Sequence, residues 1–307
     1  MWRSKRNKLM KRIRAGEFGC VYCAGADVGI QPDHVPSRSY FVGRRRPHDL
    51  VVPSCPACNQ GSGALDSIVA YVISGGQGNV DRTNEAEYFL QHFALYSAMQ
   101  NNYPEIADAV TVHVAKNISG VSVPFNALGD FYMRKALELF GAKVVMALNW
   151  WYTGQPLPRS AMIQVALIPN VLYGDLAELV GHLPATGTLV QGKEEVSDQF
   201  TYQMLGNDDK VRSTTLLTLR NQVHVLANVE IEGNVLSNSE LRPSCLKGGY
   251  PYGWPRLSPD QLATRKKKAS AALAQVWASS PLLPDIRFSN EQRMRFDAII
   301  EQIRQNR

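Results

Sequence analysis

No run of 18 uninterrupted apolar residues occurs in the 307-residue chain, so no membrane-spanning helix is expected. The start, Met1-Trp2-Arg3-Ser4-Lys5-Arg6, leads into more basic residues rather than into an apolar core. That argues against a secretory signal and predicts a cytoplasmic protein. Internal repeats and low-complexity tracts are lacking as well. Charged residues are few, at 20%, against 45% apolar, which excludes wholesale disorder and allows a sizeable core. Acidic residues are scarce at one end. Residues 1–50 hold 11 Lys/Arg and 4 Asp/Glu, a balance of +7, whereas the rest of the chain holds 22 and 23. All the excess positive charge lies at that end, and a polyanion is its natural partner. A solvated helix face is the plainer alternative.

Cysteine is also sparse, with five residues, but four of them fall in two close pairs. Cys20-Val21-Tyr22-Cys23 and Cys55-Pro56-Ala57-Cys58 are separated by 31 residues, and Cys245 stands alone. Without a secretory signal, such spacing reads as metal binding rather than as disulfides. A CxxC turns two thiolates onto one cation at about 2.3 Å, and two such knuckles close a tetrahedral sulfur shell. A closed shell has no open position, so Cys20, Cys23, Cys55 and Cys58 are expected to hold a structural Zn²⁺. A small module with little core of its own would draw folding energy from that ion.

Along the chain, residues 4–15 read as a basic helix broken by Gly16 and Gly19, and residues 20–65 as loop-rich. A helix over 66–74 is expected, with Asp66 as its cap. Gly75-Gly76-Gln77-Gly78 marks the most plausible boundary, dividing the chain into residues 1–78 and 79–307. Helical periodicity covers 84–100 and 127–153, the latter apolar on much of its circumference and ended by Gly154 and Pro156. Strands are expected at Ile163–Ile168, Phe200–Leu205, Thr214–Leu219 and across 223–231, where Val223, Val225, Ala227, Val229 and Ile231 alternate with polar or small partners. Helices return at Pro259–Ala278 and Asn290–Gln305. The expected fold class is α+β: a small zinc-stabilised N-terminal module followed by a larger mixed domain.

Between the knuckles lies Pro32-Asp33-His34-Val35-Pro36, then Arg46-Pro47-His48-Asp49-Leu50-Val51-Val52-Pro53, and Asn59 follows the second knuckle directly. In order and spacing, residues 18–65 resemble a zinc-containing HNH endonuclease. The resemblance implies a ββα-metal fold, a β-hairpin followed by a helix around one metal. It also implies a catalytic Mg²⁺ or Mn²⁺ held by Asp33 and Asn59, with His34 as general base. These residue types suit the chemistry. A hard cation takes oxygen ligands and keeps several waters. It screens the scissile phosphate and stabilises the leaving oxygen. A neutral imidazole titrates near working pH and can take the proton of the attacking water. Adjacent strand residues point to opposite faces, so Asp33 and His34 serve one centre only if a bend or backbone contacts re-aim one of them.

Two positions depart from the pattern. Asp49 stands where the middle Asn usually orients the base; Asp accepts a hydrogen bond but lacks the amide donor, and His48 is the neighbouring candidate for that support. The Lys that often follows the last ligand is replaced by Gln60-Gly61-Ser62-Gly63, leaving the phosphate contact to Ser62 or to a residue elsewhere. His92, His113, His182 and His224 lie in apolar or strand contexts and read as structural or surface residues.

Arg38, Arg44, Arg45 and Arg46 occupy the loop that borders the active site in the family fold. With Lys5, Lys8, Lys11 and Arg12 of the first helix they are the expected nucleic-acid contacts, giving salt-sensitive, sequence-independent affinity. Tyr40 and Phe41 are expected to pack beneath that loop rather than touch a base. Lys266–Lys268 is a further basic run, equally readable as a solvated face.

The expected function is hydrolysis of DNA phosphodiester bonds. Restriction or antiviral defence enters by analogy alone, and the rest of the chain would supply targeting, regulation through a partner, or homodimerisation. Two alternatives stand: a non-cutting, zinc-dependent nucleic-acid-binding protein, and an RNA-cleaving toxin on the same fold.

Overall fold

The computed structural model describes residues 2–42, 50–74, 85–102, 110–116, 122–128, 130–169, 187–191, 194–206, 212–220, 223–231, 240, 241, 243, 246, 258, 260 and 289–305. Within them the chain is a mixed α+β protein. The boundary glycines 75–78, the residues of Pro259–Ala278 other than Asp260, and Cys245 lie outside the described residues.

Two compact units are present, and each is built from separated stretches of chain. The first comprises Met1–Val69 and Arg134–Tyr252, the second Ala70–Met133 and Gly253–Arg307.

The first unit opens with helix α1 (Trp2–Arg14). Lys, Arg, Leu and Met are good helix formers, and Lys11, Arg12 and Arg14 sit in the last turn, where cations complement the helix dipole. Ile13 is fully buried while Lys5, Lys8, Lys11 and Arg12 are exposed. Strands β1 (Gln31–His34) and β2 (Val51–Ser54) pair antiparallel, with Asp33 opposite Val52 and His34 opposite Val51.

Helix α2 (Pro56–Ser74) follows β2 directly. Pro56 starts it at the position where a missing N–H costs nothing. The helix begins ten residues before the expected start at 66, and Asp66 lies in its interior rather than at its cap. Gly61, Ser62 and Gly63 suggest a loop by propensity, but packing overrides propensity: Ala64, Leu65, Ile68 and Val69 are all buried.

Helix α4 (Asp130–Thr153) is the longest element, and residues 136–150 are buried throughout. It crosses a sheet made of β5 (Met162–Pro169), β6 (Gly187–Thr188), β9 (Phe200–Gly206), β10 (Arg212–Leu219), β11 (Val223–Glu230) and β12 (Glu240–Leu241), in the order β12-β5-β11-β10-β9-β6 with every pair antiparallel. Two-residue strands β7 (Val190–Gln191) and β8 (Glu194–Glu195) form a separate ladder. Close approach of α4 to the sheet requires Gly141. A Cβ there would stand 2.7 Å from Val225 Cγ1 and 3.1 Å from Val165 Cγ1, inside van der Waals contact.

The second unit holds α3 (Glu85–Asn102), the hairpin of β3 (Val110–Lys116) and β4 (Ser122–Leu128), and α5 (Asn290–Gln305). Arg295 and Gln292 of α5 both reach the Glu87 carboxylate of α3 at 3.0 Å. No helix among the described residues is long and apolar enough to cross a membrane.

Candidate metal and carboxylate site

Cys20 and Cys23 flank a short 3-10 turn at Val21–Cys23, and the chain reverses through Ala24 (φ 56) and Gly25 (φ +73). Gly25 N–H donates to the Cys20 carbonyl and Ala26 N–H to that of Cys23, closing a knuckle. Cys55 links β2 to α2, and Cys58 lies in the first turn of α2. The four Sγ atoms lie within 4.8 Å of one another, and all four residues are buried. Tetrahedral sulfur around zinc needs S–S separations of just under 4 Å, so the donor set fits the ion the spacing calls for. The thiols are crowded enough to share protons. A hydrogen bond from Cys58 holds Cys20 down to about 5. Burial pushes Cys23 up to about 12, and Cys58 is raised first by its bond to Cys20. A cation that binds thiolates favours the deprotonated form of such a cluster.

A second polar cluster lies beside the first. Lys143 of α4 is fully buried, and its ammonium meets Asp66 Oδ2 at 2.7 Å, Ser62 Oγ at 3.0 Å and Asp33 Oδ2 at 3.1 Å. The ammonium therefore donates to Ser62 and Asp66 and is ion-paired with Asp33 as well. Tyr22, between Cys20 and Cys23, donates its hydroxyl to the same Asp33 Oδ2 at 2.7 Å. Burial raises the Asp66 carboxyl to about 6 against the pull of Lys143. Burial also works against the Lys143 charge, but the two carboxylates outweigh it and hold the amine above the ordinary lysine value. Tyr22 is pushed up by burial and by the Asp33 charge.

Asn59 is tied to the same strand. Its Nδ2 donates to Gln31 Oε1 at 2.8 Å. Gln31 and Asp33 are two residues apart on β1 and so share a face, which brings the Asn59 amide and the Asp33 carboxylate to one side of the strand. His34 ends the strand and is buried to the same 7% exposure as Asp33.

The loop after β1 is anchored to the sheet. Tyr40 and Phe41 are buried, Tyr40 stacking on Phe140 of α4 at 5.9 Å, so these aromatics pack. Val42 N–H donates to Gln199 Oε1 at 2.8 Å, and Arg220 Nη2 donates to the Tyr40 carbonyl at 2.6 Å. Arg220 adopts φ 50, a left-handed conformation that costs a non-glycine residue about 1 kcal/mol; its buried bond to Tyr40 offsets that cost.

Arg38 opens a short 3-10 turn at Arg38–Tyr40 in this loop. Arg44, Arg45, Arg46, His48 and Asp49 lie outside the described residues, as do Lys266–Lys268, His182 and the side chain of His113. Lys5, Lys8, Lys11 and Arg12 line the outer side of α1; Arg12 pairs with Glu17 at 2.6 Å and covers the Phe18 ring at 4.7 Å.

Two readings of the sequence are corrected here. Ser62 is 1% exposed and bound to Lys143, which leaves no room for a phosphate. Asp66 does not cap a helix; it counters a buried lysine. The roles of Lys143 and Tyr22 are not read from the sequence, and neither is the pairing of Asp66 with Lys143. One signal was present: a single Lys between Ala142 and Val144, in a helix otherwise apolar over several turns, has to find a buried partner.

Comparison of the chain with family models, with characterised proteins and with solved structures gives no significant match.

Proposed function

We propose that the chain is a metal-dependent HNH endonuclease that hydrolyses phosphodiester bonds in DNA. One observation carries the reading: Asn59, in the helical turn that also bears Cys58, is bound to the β1 face that carries Asp33, beside four buried thiols. An antiparallel strand pair leading straight into a helix is the element order that the resemblance implies, and it supports the reading. The oxygen donors fit a hard cation. Both contacts named above fall on Asp33 Oδ2, and Asn59 bonds Gln31 through its nitrogen; Asp33 Oδ1 and Asn59 Oδ1 are the atoms that would hold Mg²⁺ or Mn²⁺. When bound, that ion supplies charge screening of the scissile phosphate. His34 takes the proton of the attacking water, and the basic face of α1 with the Arg38 loop holds the phosphate backbone. Restriction or antiviral defence is the role this activity would serve, with the remaining chain targeting or regulating the cut.

A second reading, nucleic-acid binding without cleavage, is favoured by the ammonium already seated at Asp33. Incubation of supercoiled plasmid, and separately of a labelled RNA, with Mg²⁺ or Mn²⁺ decides between them. The wild type is expected to nick or linearise the plasmid, and His34→Ala to lose 10²- to 10⁴-fold in rate, the span of a general base. Equal cutting by both removes His34 from the reaction. Binding without cleavage of either substrate establishes the second reading, and cleavage of RNA alone establishes an RNA-cleaving enzyme.

A further inference from the structure

A lysine with no exposed surface is an expensive residue to keep. Taking its charge out of water costs several kcal/mol, and an apolar side chain of similar volume is often as stable or more so. Lys143 nevertheless sits fully buried in α4, donating to Ser62 and Asp66 and ion-paired with the carboxylates of β1 and α2. Asp33 is one of those carboxylates, and its Oδ2 is held by both Lys143 and Tyr22. The pair grips one oxygen of the carboxylate and fixes its orientation. Asp66 stands closer to the ammonium than Asp33 does, at 2.7 Å against 3.1 Å, and so takes the larger part of its field. An ammonium divided in this way anchors Asp33 without neutralising it.

We propose that Lys143 is a positioning residue that orients Asp33 and, through its division with Asp66, sets how strongly Asp33 holds a divalent cation. The inference rests on the endonuclease reading above. It assigns a role to a residue 110 positions away along the chain and makes α4 part of the site. Lys143 touches neither substrate nor cation; it acts through Asp33. The charge count fixes the direction of two substitutions. Asp66→Asn leaves the ammonium undivided on Asp33 and weakens cation binding. Adding Lys143→Met removes the ammonium and restores it.

The test uses the full-length zinc-loaded protein with Mn²⁺ as probe. Bound Mn²⁺ is followed by loss of the free-ion electron paramagnetic resonance signal, and plasmid cleavage is measured against Mn²⁺ concentration. Asp66→Asn is expected to raise the half-saturating Mn²⁺ about tenfold, the scale of one charge's influence at a partly screened site. The double variant Asp66→Asn/Lys143→Met is expected to return it to the wild-type value or below, with zinc content unchanged. A purely structural lysine would lower stability and leave half-saturation where it was. Unchanged half-saturation in Asp66→Asn, or a rise that the double variant does not reverse, overturns the proposal. If Asp66→Asn alone fails to fold, the double variant decides, and half-saturation above wild type then sinks the idea. Wild-type protein that neither binds Mn²⁺ nor cuts would instead refute the endonuclease reading itself.

Discussion

The four thiols and the Asp33–Asp66–Lys143 cluster are neighbours of similar burial, yet they meet the cost of buried polarity in opposite ways. The thiol cluster consists of donors that could hold an external cation. The carboxylate cluster brings its cation within the chain. In the first, a bound metal would supply folding energy; in the second, the fold itself must deliver a helix to the right place. The first is therefore sensitive to chelation and the second to what happens on α4.

Removal of one thiol is the most severe break in that comparison. Cys55→Ser leaves three sulfurs, and structural zinc sites contribute on the order of 10 kcal/mol. The variant is expected to carry no zinc by metal analysis and to lose cooperative unfolding of the knuckle region by circular dichroism. Full folding at zero zinc would end the structural role of the cluster.

Loss of the internal cation comes next. Lys143→Ala leaves Asp33 and Asp66 buried without a counter-charge, at about 3–5 kcal/mol by urea unfolding. Zinc uptake should match that of the wild type, since none of the thiols is touched. A loss below about 1 kcal/mol, the size expected of an exposed pair, would show that the lysine is not buried as described.

The mildest test sharpens the comparison with a third solution to burial, in which a titratable group simply stays neutral. His224 is 2% exposed, bonds Thr218 Oγ1 at 3.1 Å, and has its pKa lowered by burial. The folded imidazole thus resists a proton that the unfolded chain accepts. Its stability contribution is complete above about 6.5, the ordinary histidine value, and is lost as pH falls below it. The wild type should lose up to about 1 kcal/mol between pH 7.5 and 5.5 beyond what His224→Gln loses, read from urea midpoints at both pH values. Parallel pH profiles would remove His224 as a source of the slope.

The contrast also explains what could be read in advance. The thiol cluster is two local motifs, so spacing alone brings it out. Helices α3, α4 and α5 and strands β5, β9, β10 and β11 follow from periodicity that runs within one element. Strand β3 offered the same cue in Val110-Thr111-Val112-His113-Val114, and it passed unread. Asp66 was misread because a carboxylate ahead of an apolar run looks like a cap whether the helix starts there or ten residues earlier. Its partner is 77 positions away, and no local pattern encodes that distance. Asp33 and Asn59 were singled out by motif, but their partners Lys143, Tyr22 and Gln31 depend on three-dimensional packing.

Gly141 and Lys143 lie two residues apart on α4, about 200° around the helix axis, one against the sheet and the other against the carboxylates. The helix works as a two-sided strut, so the order of parts along the gene does not coincide with the order of parts in space. An engineer who transplants residues 1–78 as a portable module would leave its counter-ion behind. A graft that keeps its carboxylates balanced has to carry α4 along with the knuckles.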